Sequence, residues 1–193
     1  MAIHRVITDP GIYFVTFTSF RWLHLIEQVK GYDLVYNWFD VLVDKGHSIT
    51  VYVIMPNHLH VVLYFDGGAQ SLNQLIGNGK RFMAYKVVER LELQGDHDLL
   101  QKLELSVKPK DRTRGKKHEI WEDAFDVKEC RTEKFIMQKL IYIHNNPCTD
   151  KWKLAKEPHH YPHSSALFYF NGKTSQYPVR DYRDFLGMYL FDE

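Results

Sequence analysis

Two histidines, His58 and His60, are the first residues in this sequence whose type and spacing could do chemistry. They flank Leu59 at the start of the run 58–65, which is rich in β-branched and aromatic residues and therefore indicates a strand. Because side chains alternate across a strand, both imidazoles should project to one face. Imidazole binds divalent metals, so the pair could supply half of a metal site, although a His-x-His pair on a strand is more often simply solvated.

A second pair of polar residues, Tyr142 and Asn146, lies late in the chain. The apolar spacing predicts a helix from near Thr132 to Pro147, and residues four apart share a helix face. An amide oxygen suits a hard cation, and a phenol becomes a nucleophile once it is deprotonated or its target is polarised. A helix packed across the sheet could present both to the histidines. Considered alone, the two residues fit a packed aromatic and a helix C-terminus better.

Four strands and three helices are predicted to position these side chains. The predicted strands are 11–19, 48–55, 58–65 and 120–125, and the predicted helices are 32–45, 71–93 and 132–146. This order favours a ferredoxin-like α+β fold with an antiparallel sheet and helices packed on one face. We expect a catalytic domain in residues 1–150. The aromatic remainder, 151–193, is predicted to be a C-terminal arm that packs on the domain or extends from it.

Composition limits the class of protein. A chain of 193 residues with 45% hydrophobic residues can bury a core, which excludes a disordered protein. The formal charge of +1 does not indicate a polyanion partner, so any basic surface must be local. Two cysteines, Cys130 and Cys148, cannot build a disulfide framework, and no apolar run is long enough to span a bilayer. We therefore expect a cytoplasmic protein with no membrane partner.

Local basic surface is predicted in two places. The second long helix carries Lys80, Arg81 and Lys86. The segment 108–118 indicates a mobile loop and carries Lys108, Lys110, Arg112, Arg114, Lys116 and Lys117. These nine side chains are candidate DNA phosphate contacts, and a solvated helix face with a surface loop is the alternative. Three aromatic residues could stack on bases, although such residues are more often core: Tyr64, Trp121 and Phe125.

Three ordered motifs give the chain a resemblance to a known family. They are Val53-Ile-Met-Pro-Asn-His-Leu-His60, Tyr142-Ile-His-Asn-Asn-Pro147 and Tyr161-Pro-His-Ser-Ser165. From about residue 13 to residue 165 the chain resembles the single-tyrosine transposases of the His-hydrophobic-His superfamily, and among them the REP-associated tyrosine transposases. The resemblance implies that a divalent cation, Mg²⁺ or Mn²⁺, is bound by His58, His60 and Asn146. It also implies that Tyr142 is the catalytic nucleophile.

The resemblance further implies a reaction and a partner. The tyrosine would attack a phosphodiester of single-stranded or hairpin DNA, which leaves a 5′-phosphotyrosine and a free 3′-hydroxyl for later religation without ATP. The enzyme would act as a monomer or a homodimer.

Two other functions stay open on the sequence. A non-catalytic nucleic-acid-binding module would use an open sheet face to stack bases. A metal-dependent hydrolase acting on a small phosphoester would keep the histidines but would use activated water, so it would not need Tyr142.

Overall fold

The structure of the chain is a computed structural model that describes residues 6–123 and 125–189. The strands are β1 (Gly11–Thr18), β2 (Ser48–Ile54), β3 (His58–Phe65) and β4 (Asp126–Glu129). The helices are α1 (Leu25–Gln28), α2 (Tyr32–Asp44), α3 (Leu72–Gln94), α4 (His97–Leu105), α5 (Pro109–Arg112), α6 (Glu133–Asn145), α7 (Ala166–Asn171) and α8 (Leu186–Tyr189). The strand order is β2-β3-β1-β4, with antiparallel neighbours throughout. This confirms the predicted α+β fold with an antiparallel sheet.

The two faces of the sheet carry different layers, which corrects one detail of the prediction. Odd-numbered residues of β3, such as Val61, share a core with α2 and α3, whereas even-numbered residues, such as Val62, pack with α6. The prediction that the helices pack on one face therefore holds for α2 and α3 only. The third long helix, α6, covers the opposite face because it carries an apolar stripe at helical spacing, formed by Ile136, Leu140 and Ile143.

The helix ends follow the capping chemistry of the sequence. The Ser71 hydroxyl accepts a hydrogen bond from the Gln74 backbone N–H (3.3 Å), and the Gln74 side chain accepts one from the Ser71 N–H (2.9 Å). This capping box starts α3. Gly46 has a φ of 89° just after α2, in the left-handed region that glycine tolerates. The Thr132 side chain caps α6 by accepting from the Phe135 N–H (3.2 Å).

Two predicted segments differ in the structure. The predicted strand 120–125 is wrong: Trp121 makes only an isolated bridge to Ser19 and packs in the core, and the fourth strand follows at Asp126–Glu129. The aromatic pattern there reflects burial against the sheet rather than strand pairing. The segment 108–118, predicted as a loop, begins with α5, for which Pro109 supplies a preset first helical residue.

The described part of the C-terminal arm packs against the sheet. The Ile54 N–H donates to the His163 carbonyl (2.8 Å), and the Ser165 N–H donates to the Tyr52 carbonyl (3.0 Å). Residues 163–165 therefore cover the free edge of β2, which would otherwise expose unpaired backbone groups. Within the described residues, no helix has the length and apolar character needed to cross a bilayer.

Gly79 provides a test of the contact between α2 and α3. A Cβ atom at Gly79 would overlap the indole nitrogen of Trp38, which donates to the Leu75 carbonyl (3.4 Å). We expect Gly79→Ala to lower the free energy of unfolding by about 1–3 kcal/mol. Gly77 lies on the same helix and its added Cβ would meet no described atom within 4 Å, so Gly77→Ala should raise it by about 0.5–1 kcal/mol. Urea unfolding measures both; a stabilised Gly79→Ala variant would contradict this packing.

Candidate active site

His58 and His60 lie side by side on the face of β3 that α6 covers, as their spacing predicts. Their ring centroids are 4.7 Å apart and both side chains are buried. In the antiparallel register His60 pairs with Thr16 of β1, and His58 pairs with Thr18. The pair is therefore held on an interior strand of the sheet, between β2 and β1.

Hydrogen bonds fix the orientation of the His58 ring. The Asn57 side-chain Nδ2 donates to the Trp22 carbonyl (2.8 Å), which turns Asn57 Oδ1 toward His58. That oxygen can only accept, so His58 Nδ1 is the donor across the 2.7 Å contact. The lone pair of the ring is then on Nε2. This is the arrangement in which a second hydrogen bond orients a metal-binding imidazole.

His60 connects the sheet to α6. Its Nδ1 is 2.7 Å from the Thr16 hydroxyl, and its Nε2 is 3.3 Å from the Tyr142 hydroxyl. Phe14 of β1 stacks on the His60 ring (centroids 5.6 Å apart, 20° between planes) and meets the Tyr142 ring edge-on. Tyr142 is 49% exposed, so its hydroxyl combines a fixed position with access from solvent.

Burial keeps both imidazoles neutral. Desolvation is the main cause that lowers the pKa of His58 to about 4, and the Lys151 charge lowers it further. Desolvation likewise lowers the pKa of His60 to about 3, with added repulsion from His58 and Lys139. Removing a charge from water disfavours the protonated ring, so both rings keep a nitrogen lone pair at neutral pH. A neutral imidazole is the form that binds a metal.

Asn146 brings a third candidate ligand atom, its side-chain oxygen, next to the two histidines. It lies one helical turn after Tyr142 and beside His58. Its side-chain amide favours the charged form of His58 and so partly opposes the lowering of the His58 pKa by burial. Its Oδ1 is buried, and among the described residues no donor reaches it. A buried acceptor without a donor costs free energy unless a ligand satisfies it. Two imidazole nitrogens and one unsatisfied amide oxygen therefore fit a divalent cation.

Lys139 adds a positive charge that sequence reasoning did not single out. It lies three residues before Tyr142 on α6, with Nζ 4.5 Å from the Phe14 ring centroid and 5.8 Å from that of Tyr142. A cation at this distance attracts an anionic phosphate. The signal was present in the sequence, because residues three apart on a helix are neighbours.

His144, the histidine of the motif at residues 142–147, has a packing role. It is fully buried, and its Nε2 is 2.9 Å from the Ser165 hydroxyl. Burial lowers its pKa to about 3. His144 therefore ties α6 to the C-terminal arm on the side away from Tyr142, as a residue two positions away on a helix must.

The structure divides the nine predicted DNA contacts into two groups. Six are engaged within the protein: Lys80 with the Glu122 carbonyl, Arg81 with Asn78, Lys86 with Glu89, Lys108 with Asp123, Arg112 with the Glu104 carbonyl and Lys116 with Glu119. Over the described part of the chain, no hydrogen bond or ion pair engages the side chains of Lys110, Arg114 and Lys117. Internal pairing thus reduces the basic surface that the sequence suggests.

Five of these cations line one cleft of about 750 Å³ between α3 and the segment 114–123: Lys80, Arg81, Arg114, Lys116 and Lys117. The lining mixes basic, acidic and apolar side chains, and burial lowers the pKa of Lys80 to about 8. The cleft borders the turn 19–23, because Glu122 of the cleft accepts from the Arg21 N–H (2.7 Å), and Trp22 of the same turn lies beside His58. The structure therefore places the basic cleft and the histidine pair on either side of one turn.

The aromatic residues near the histidines are not those predicted to stack on bases. Tyr64 and Trp121 are buried, with Tyr64 stacked on Phe185. Instead Trp22 and Trp152 border the site, and each ring centroid lies 5.6 Å from that of His58. No periodic pattern marks either residue, so the sequence offered no signal for them.

A comparison with solved structures shows a shared fold. No protein-family model and no curated protein sequence matches this chain. A solved structure of a REP-associated tyrosine transposase bound to a REP hairpin is 18% identical with a TM-score of 0.60, covering 93% of this chain and 98% of that one. A Deinococcus radiodurans R1 structure named as a transposase is 15% identical, with a TM-score of 0.37, covering 75% and 97%. At this identity, the first likeness shows a shared fold.

Proposed function

We propose that this chain is a metal-dependent single-strand DNA nicking and joining enzyme, a tyrosine transposase of the REP-associated type. The observation that carries the proposal is the 3.3 Å separation of the Tyr142 hydroxyl from His60 Nε2, beside His58 and the unsatisfied Asn146 oxygen. The shared fold with a transposase bound to a hairpin supports it. Residues 1–150 would form the catalytic domain, and 151–193 the arm.

In the proposed site, the cation would be held by His58, His60 and Asn146. Mg²⁺ or Mn²⁺ bound there would supply Lewis-acid polarisation of a non-bridging phosphate oxygen. The protein's own contribution is to keep both imidazoles neutral, to orient them through Asn57 and Thr16, and to bring Tyr142 to the same place. Such preorganisation lowers the entropic cost of reaching the reactive geometry.

The proposed reaction is a transesterification that balances without an external energy source. The Tyr142 oxygen forms a bond to phosphorus, and the bond from phosphorus to the 3′-oxygen of the preceding nucleotide breaks. The phenol proton leaves as attack proceeds, and the departing oxygen gains a proton to become a 3′-hydroxyl. Lys139 stabilises the phenolate character that develops on Tyr142. The phosphotyrosine bond conserves the energy of the phosphodiester, so a second 3′-hydroxyl can reverse the step and rejoin DNA.

The position of Tyr142 favours this function over the two alternatives. A hydrolase that uses activated water has no need for an accessible phenol 3.3 Å from a ligand nitrogen. A base-stacking module needs an open sheet face, but α6 and the arm cover the face that carries the histidines. As partners we propose single-stranded or hairpin DNA, with the enzyme acting as a monomer or homodimer in the cytoplasm.

Covalent trapping tests the proposal. Purified protein is incubated with a pool of single-stranded hairpin oligonucleotides and Mg²⁺ or Mn²⁺, and a denaturing gel is examined for a protein–DNA adduct. We expect an adduct that EDTA abolishes. Binding without an adduct in either metal would overturn the enzymatic function and favour a binding module.

The unpaired cations should contribute mainly salt-dependent affinity. Replacing Arg114 and Lys117 together by alanine is expected to reduce the slope of log affinity against log salt by about 0.7 for each lost phosphate contact. Fluorescence anisotropy with a labelled hairpin oligonucleotide in EDTA measures the slope. Lys173→Ala removes an exposed cation of the arm and serves as the matched control. An unchanged slope in the double variant would place the DNA elsewhere.

A further inference from the structure

Trp22 is exposed in a way that packing does not explain. Its side chain is 53% exposed, whereas Trp38 and Trp121 are buried in the core. Large aromatic side chains at a protein surface commonly mark binding sites, because exposing them to water is unfavourable. The indole lies beside His58, with ring centroids 5.6 Å apart and a 62° angle between planes, so it meets that histidine edge-on.

The turn that carries Trp22 is held rigidly in an unusual conformation. Arg21 and Trp22 have φ values of 51° and 59°, in the left-handed region that bulky residues rarely adopt. The turn is fixed at three points: Trp22 N–H donates to the Ser19 carbonyl (3.0 Å), its carbonyl accepts from Asn57 (2.8 Å), and the Arg21 N–H donates to Glu122 (2.7 Å). Asn57 also orients His58, so one residue positions both the indole and the imidazole.

Trp152 faces the same space from the C-terminal arm. Its ring centroid lies 5.6 Å from those of His58 and His24. Lys151 Nζ lies 4.4 Å from the Trp22 ring centroid and 5.1 Å from that of Trp152. Among the described residues no other ring stacks flat on Trp22. Two indoles with an ammonium between them match the chemistry of a nucleotide, in which a flat base adjoins an anionic phosphate.

We propose that Trp22 and Trp152 form a stacking site for one base of single-stranded DNA, with Lys151 contacting its phosphate. This inference rests on the proposed function and adds a substrate-positioning site to it. The indoles adjoin His58, and Tyr142 adjoins His60, so the stacked base would lie close to the scissile phosphate. Because every base has a flat face, such a site holds the strand without reading its sequence.

The test measures base-dependent affinity apart from cleavage. Anisotropy of a dye-labelled oligothymidylate, in EDTA, is compared with that of an oligomer of equal length that lacks bases. We expect the wild type to prefer the oligothymidylate, and Trp22→Ala to weaken its binding by about 5- to 150-fold, the range for loss of one stacked base. Trp22→Phe retains a flat ring and should keep most of the affinity. Phe170→Ala removes another exposed aromatic ring and should bind as wild type does.

Wild-type affinity of Trp22→Ala for the oligothymidylate would overturn the stacking site, even if the Tyr142 adduct forms normally. Base-dependent binding through Trp22 without any adduct would leave the stacking site intact and overturn the proposed enzyme instead. Circular dichroism of each variant checks that it is folded. Because Asn57 bonds to the backbone of Trp22, the substitutions leave that anchor in place.

Discussion

Tyr142→Phe is expected to abolish the covalent DNA adduct and to lower strand cleavage by at least ~10⁴-fold, the scale of losing a catalytic nucleophile. The substitution removes only the hydroxyl that lies 3.3 Å from His60 Nε2. The ring contacts with Phe14 and His60 remain, so stability should change little. Quantifying the adduct with a labelled hairpin oligonucleotide in Mn²⁺ checks the prediction.

Tyr85→Phe is the matched control, because Tyr85 is another exposed tyrosine, on α3. This variant should form the adduct as the wild type does. Undiminished cleavage by Tyr142→Phe would favour the alternative in which activated water attacks, since that reaction does not need the phenol.

Replacing His58 and His60 together by alanine should lower metal-dependent cleavage by about 10²-fold or more. The two rings supply the nitrogen ligands of the proposed site, and both are neutral at pH 7 because burial lowers the pKa of each. Binding of Mn²⁺, measured by calorimetry, should weaken to a similar extent. Asn146→Ala removes the unsatisfied oxygen and should weaken Mn²⁺ binding less than the double histidine variant does.

A separate histidine pair on the arm provides the control. Donor atoms of Glu157, His159 and His160 lie within 4.8 Å of one another and could hold an ion themselves. Calorimetry is therefore performed in a His159→Ala/His160→Ala background, which should cleave DNA normally. If the His159→Ala/His160→Ala variant lost cleavage while the variant without His58 and His60 kept it, the metal centre would be the cluster of Glu157, His159 and His160.

The parts of the fold that obey simple periodicity could be predicted from the sequence. The alternation in β3 places His58 and His60 on one face, and the spacing in α6 places Tyr142 and Asn146 together. Capping residues indicate the helix ends to within a few positions, because the Ser71 and Thr132 side chains accept hydrogen bonds from backbone N–H groups in the first turns of their helices. The approach of Tyr142 to His60 follows from burial of the apolar stripe of α6 on that face.

Other features depend on tertiary contacts that leave no periodic signal. The strand β4 has a polar sequence because it pairs through its backbone at a sheet edge, and the aromatic run before it is buried for packing instead. The ion pair that engages Lys108 joins it to Asp123, 15 positions along the chain. Trp22 reaches the site through a turn with left-handed backbone, which propensity alone does not favour in a tryptophan.

Peptide mapping of the trapped adduct tests the central claim most directly. The adduct formed in Mn²⁺ from a hairpin oligonucleotide is digested with protease and nuclease, and mass spectrometry locates the residual nucleotide. The account predicts a 5′-phosphate linked to Tyr142 in the peptide that spans the end of α6, with a free 3′-hydroxyl on the released strand. A nucleotide linked to any other residue, or cleavage products with no linked peptide, would contradict it.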